Sequence, residues 1–102
     1  EMSNLKIPVD GKNLEPIFYA GGGAKTYDGE QKRNSAGQLL WNVKCYMAGA
    51  GCEAFVTVPG EASPLQELAE HGKIKFTNLM ASMGTMSGRK YWALSADGVQ
   101  NA

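Results

Sequence analysis

Apolar and polar positions alternate with a period of two over two adjoining stretches of the chain. Leu39, Trp41, Val43, Cys45 and Met47 interleave with Leu40, Asn42, Lys44 and Tyr46, which is the spacing of a β-strand. The run from Glu53 to Val58 alternates as well and stops at Pro59-Gly60. Between them, Ala48-Gly49-Ala50-Gly51 offers glycines that take the positive φ of a tight reversal. The pattern predicts one long hairpin within residues 37–59. A two-residue turn at Ala48-Gly49 sets Cys45 opposite Cys52, Val43 opposite Ala54 and Trp41 opposite Val56. A four-residue loop slides the pairing by two residues and leaves the faces unchanged. One face carries Trp41, Val43, Cys45, Met47, Ala54, Val56 and Val58 and reads as core. The other carries Leu40, Asn42, Lys44, Tyr46, Phe55 and Thr57, a cation and two aromatics among them, and is the candidate for function.

The remaining stretches are placed around that hairpin. Leu5, Ile7 and Val9 alternate weakly, and Pro8, which cannot donate to a ladder, suits an edge strand or arm. Residues 14–20 hold the next β-type residues, Ile17, Phe18 and Tyr19. Gly21-Gly22-Gly23 and the polar run to Gly37 read as a flexible connection or bulge; the Gly-Lys-Ser/Thr ending of a phosphate loop is missing. From 62 to 72 the chain predicts a short helix: Ser63 caps it, Pro64 takes the first position, Gln66 stands in capping-box register and Gly72 stops it. Leu65, Leu68 and Ala69 form its inward stripe. Residues 73–81 return to strand, 82–88 read as a loop rich in glycine and methionine, and 89–96 form the last strand. There Tyr91 and Trp92 point to opposite sides, with Tyr91 outward beside Arg89. Asp97-Gly98 turns and the end is expected to fray. The order suits a mainly β fold, a five-stranded OB-fold-like barrel with one short helix between strands 3 and 4 plugging one end. An open α+β sheet or an SH3-like barrel is the fallback. Residues 1–13 are then an arm or edge strand, 14–99 the barrel and 100–102 a tail.

Composition narrows the function classes. The 102 residues fit one domain. Formal net charge is zero, so an argument for nucleic acid rests on local clustering. Such clustering exists: residues 71–96 hold Lys73, Lys75, Arg89 and Lys90 and no acid. Lys25, Lys32 and Arg33 outnumber Asp28 and Glu30 in the first polar connection. Two cysteines and one histidine do not make a four-ligand zinc site without carboxylates, and no metal or cofactor is expected. His71 has no nucleophile and orienting acid at a recognisable spacing, so the chain does not read as an enzyme. No apolar run is long enough to span a membrane. No charged start leads into an apolar core, so no signal peptide is expected. Glu1 precedes Met2, which makes Met2 the expected native start, and the chain reads as cytosolic. Met80, Met83 and Met86 offer adaptable apolar contacts for a partner or a second subunit.

Several of these residues together resemble a known group. A polar basic connection closing at Gly37 runs into the strand with Trp41, Lys44 and Tyr46. Val56-Thr57-Val58-Pro59 ends the hairpin. His71-Gly72-Lys73 leads into Ile74-Lys75-Phe76-Thr77-Asn78-Leu79, and a loop precedes Arg89-Lys90-Tyr91-Trp92-Ala93. In this order of elements, over roughly residues 14–99, the chain resembles the small OB-fold single-stranded DNA-binding proteins of plasmids and phages. These have no diagnostic signature, so the likeness is one of order and not of motif. It implies a non-enzymatic protein that binds single-stranded DNA, or RNA, with little sequence preference, in a setting of DNA replication; a homodimer is expected because 102 residues give a small footprint. It points to Lys44, Tyr46 and Phe55 on the hairpin and to Lys25, Tyr27, Lys32 and Arg33 on the first connection. Lys73, Lys75, Arg89 and Tyr91 join them from the acid-free region. The chain departs from cellular relatives in lacking a long acidic C-terminal tail, so recruitment of replication partners by such a tail is not implied. The second reading is a protein-interaction or virion-structural module on the same barrel.

Overall fold

A computed structural model describes residues 6–102, and of Thr85 and Met86 the backbone alone. The predicted hairpin is its centre. β5 (Leu40–Met47) and β6 (Cys52–Pro59) pair antiparallel along their whole lengths. Val43, Cys45, Met47, Val56 and Val58 are buried on one side, while Tyr46 and Phe55 are exposed on the other, so both faces are as the alternation predicts. Trp41 ends the inner face half-buried, its Nε1 donating to the Gly60 carbonyl at 2.7 Å.

The register decides between the two turns that the pattern allows. Residues 48–51 form a four-residue turn, with Met47 opposite Cys52 and Cys45 opposite Ala54; Cys45 does not face Cys52. Gly51, not Gly49, takes the positive φ, +70°. Gly49 instead lies against the backbone of Asn13 and Leu14, too close for a Cβ, and its N–H donates to the Leu14 carbonyl at 3.0 Å. Docking on that segment selects the longer turn.

β2 (Ile17–Ala24) flanks β5, followed by β7 (Lys73–Thr77) and β10 (Gly98–Asn101). On the other side β9 (Arg89–Ser95) runs parallel to β6, followed by β8 (Met80–Met86) and β1 (Lys6–Pro8) at the edge. The short pair β3 (Thr26–Tyr27) and β4 (Glu30–Gln31) stands apart. β7 and β8 lie on opposite sides of the hairpin yet are joined by Asn78-Leu79 alone; Ala96-Asp97 joins β9 to β10 across the same gap. A link that short reaches only about 10 Å, so the sheet must curl until its two sides meet. The Asn78 amide donates to Asp97 at 2.7 Å and ties the two links together, with Leu79 and Ala96 buried beside them. The result is mainly β, with a curled half-barrel sheet. Inside it Ile17, Ile74 and Leu68 join the buried residues of the hairpin.

The expected helix between strands 3 and 4 is not there. Ser63 accepts from the Leu65 N–H at 3.2 Å and Pro64 follows it, as the caps predict, but only one 3-10 turn forms, Pro64–Glu67. Leu68 already has extended dihedrals. A helix of two turns gains little beyond its nucleation cost, and here Asn101 takes up the groups that a helix would use. Its side chain accepts from the Ala69 N–H at 2.9 Å and donates to the Glu67 carbonyl at 2.7 Å. Leu68 is nonetheless buried at the end of the half-barrel.

The strand count also differs from five: eight strands make the main sheet among the described residues. Residues 82–86, expected within a loop over 82–88, belong to β8, which pairs with β9 through a two-residue turn. Ser87 and Gly88 both take positive φ, 53° and 80°, as such a turn requires. Residues 98–101 pair with β7 instead of fraying. Lys6–Pro8 lies at a sheet edge as expected; Ser3 to Leu5 fall outside the described residues. The glycine run belongs to β2, where the register shifts between Tyr19 and Gly22, a bulge.

The two thiols should therefore react differently. Cys45 is buried, with Sγ 3.6 Å from the Ala54 carbonyl, and burial, then the neighbouring Cys52 thiol, pushes its pKa up to about 11. Cys52 is exposed. At pH 8 a thiol reagent is expected to label one cysteine in the folded protein and the second only after denaturation. Two fast-reacting thiols, or a native intramolecular disulfide, would contradict the register.

Candidate nucleic-acid interface

Residues paired directly across a sheet share a face, and the register assembles the site from that rule. Phe18 stands opposite Tyr46 across β2 and β5, Tyr46 opposite Glu53 across β5 and β6, and Lys44 opposite Phe55. Lys73, on β7, stands opposite Phe18. The solvent face thus carries a row Lys73–Phe18–Tyr46–Glu53, with Lys44 and Phe55 in the next row. Phe18, Tyr46 and Phe55 lie on three adjacent strands, and diagonal neighbours of this kind are within reach of aromatic side chains. Tyr46 is 41% and Phe55 58% exposed, a large outlay of apolar surface for a sheet that has a core on its other side.

The first connection borders this face. The Lys25 Nζ donates to the Thr57 hydroxyl at 2.9 Å, and Thr57 is outward beside Asn42. Its ammonium pKa is lowered, first by burial and then by Lys32, so two cations are held close together there. The Lys32 N–H donates to the Lys25 carbonyl at 2.7 Å, and its Nζ stands 5.9 Å from the centre of the Tyr27 ring, within cation–π range. Arg33 is turned to other work. Its Nη1 donates to the Gly37 carbonyl at 2.6 Å and lies 3.8 Å from the Glu61 carboxylate.

Lys75 is exposed two residues beyond Lys73, on the same side of β7. Arg89 and Tyr91 lie on the β8–β9 hairpin. Ser95 pairs with Thr57, so alternation puts Tyr91 and Arg89 on the outward side with Phe55. The Tyr91 ring lies over Gly84 and fills the place of a side chain there. Neither Trp92 nor Tyr91 is core. Trp92 is 60% exposed on the opposite side, paired across the hairpin with the exposed Met83.

Sequence reasoning missed Phe18 and Trp92. Phe18 sits between the apolar Ile17 and Tyr19, and its face becomes known only once β2 is registered on β5.

The arrangement is an open surface. A groove of about 410 Å³ between the segment 8–17 and the β7–β8 link holds only Lys75 of the candidate residues. An open row of rings flanked by ammonium groups can stack flat unsaturated rings and neutralise anions spaced along a chain. No helix among the described residues is long and apolar enough to cross a membrane. No protein-family model, curated protein or solved structure matches the chain.

Proposed function

We propose that the chain is a single-stranded DNA-binding protein of the OB-fold-like kind, binding with little sequence preference through stacked bases and phosphate contacts. The observation that carries the reading is the set of three rings, Phe18, Tyr46 and Phe55, on adjacent strands of the solvent face, with Lys44 and Lys73 beside them. Single strands present unstacked bases to such rings and duplex does not, so duplex binds more weakly. The proposal includes a homodimer, since one chain of 102 residues has a small footprint on a polymer. Met83 and Trp92 are the exposed apolar pair open to a second copy. The same pair favours the second reading, a protein-interaction module.

Anisotropy with a labelled thirty-base oligonucleotide tests the proposal. Each phosphate neutralised on a single strand contributes about −0.7 to the slope of log K against log salt, so three to five contacts imply a slope of roughly −2 to −4. Lys32→Ala combined with Lys73→Ala should flatten it by about 1.4, two contacts' worth. Arg33→Ala should change it less, because that guanidinium is engaged by Gly37 and Glu61. No binding at low salt to either DNA or RNA sinks the proposal and promotes the second reading.

A further inference from the structure

Glu53 is out of place on a surface that follows phosphates. The register puts it directly opposite Tyr46, and it stands two residues before Phe55 on the same side of β6. Its carboxylate is thus flanked by two of the three rings. It is exposed and makes no salt bridge or side-chain hydrogen bond among the described residues. An anion there repels every phosphate that passes, so it contributes nothing to backbone affinity. Toward a base it has one chemistry: it accepts hydrogen bonds and donates none. Cross-strand partners have Cβ atoms about 4.5–5.5 Å apart, so the carboxylate reaches the edge of a base lying on Tyr46. At position 4 cytosine offers an amine, where thymine offers a carbonyl oxygen. The two pyrimidines have the same ring size and stack alike, so their difference at this edge is left to the carboxylate.

Resting on the single-strand reading, we infer that Glu53 is a specificity-determining residue that tilts the face toward amine-bearing bases, cytosine over thymine. The tilt is modest and compatible with broad binding. The test compares oligo-dC and oligo-dT of thirty bases by anisotropy at pH 8, where cytosine is unprotonated. The full chain should bind oligo-dC roughly threefold to tenfold tighter, the range that one net hydrogen bond spans. Glu53→Ala should bring that ratio to about one and tighten oligo-dT binding, as a negative charge leaves the face. Glu53→Gln, isosteric and able to donate to thymine carbonyls as well as accept from cytosine, should lower the ratio too if the alanine variant fails to fold. Equal or tighter binding of oligo-dT by the unchanged protein, or a cytosine preference that survives both substitutions, overturns the inference and leaves the single-strand reading standing. Failure of both oligonucleotides to bind removes that reading itself.

Discussion

Alanine at Gly22 is expected to unfold the protein or cost about 4 kcal/mol or more, the range that marks a broken backbone requirement. Gly22 takes φ +142°, where an L side chain is strained, and a Cβ there collides with the Asn42 carbonyl oxygen of β5. The obstacle is backbone, so no rotamer change relieves it; β2 must leave β5. The two neighbouring glycines supply the controls. Gly21 has φ +112° but open space around its Cβ position, so Gly21→Ala should show only the dihedral penalty, roughly 1–3 kcal/mol. Gly23 has neither a positive φ nor a near neighbour, so Gly23→Ala should be close to neutral or slightly stabilising, because it restricts the unfolded chain. Urea melts of the three variants check the order 22, 21, 23. Equal effects would mean that the run is a flexible connection after all. Asn42 lies on the candidate face, so partial unfolding at Gly22 should also weaken any binding there.

That glycine run shows where reading the chain by eye stops. The faces of the central hairpin were legible because one side is buried, and a period of two admits only one assignment of sides. Its register was not, because Gly49 and Gly51 both look like turn residues, and the contact that decides between them is with Asn13 and Leu14, far away in the chain. β8 was illegible for a related reason. Gly84 breaks the strand pattern, yet its missing side chain is replaced by the ring of Tyr91 from β9. The caps at Ser63 and Pro64 were visible and formed, while the residue that diverted the chain from a helix, Asn101, is contributed by another strand. The candidate site divides in the same way. Lys44, Tyr46 and Phe55 could be placed from one hairpin. Phe18 and Lys73 joined them only through pairings with β2 and β7, and the partner of Arg33, Glu61, lies beyond the hairpin.

Removing Tyr46 and Phe55 together is expected to weaken single-strand binding more than any loss of charge. Each stacked base contributes roughly 1–3 kcal/mol by alanine substitution, so each single variant should lose about fivefold to 150-fold in affinity. The rings stand on neighbouring strands but not directly opposite, Tyr46 facing Glu53 and Phe55 facing Lys44. If they stack different bases, the double variant should lose close to the sum, roughly 2–6 kcal/mol; if they clasp one base, it should lose clearly less. The salt slope separates this term from the ionic one, because stacking releases no counterions: the slope should stay the same as affinity falls. Both side chains are outward, so the melting point should move little, and a large drop would show that the loss came through the fold. Tyr27→Ala serves as the comparison. Tyr27 is 75% exposed and stands outside the row, next to the Lys32 ammonium, so its loss should cost less than that of Tyr46 or Phe55. A double variant that keeps its fold and its full affinity would reduce binding to phosphate contacts alone. The aromatic row would then be better explained as a surface for a protein partner.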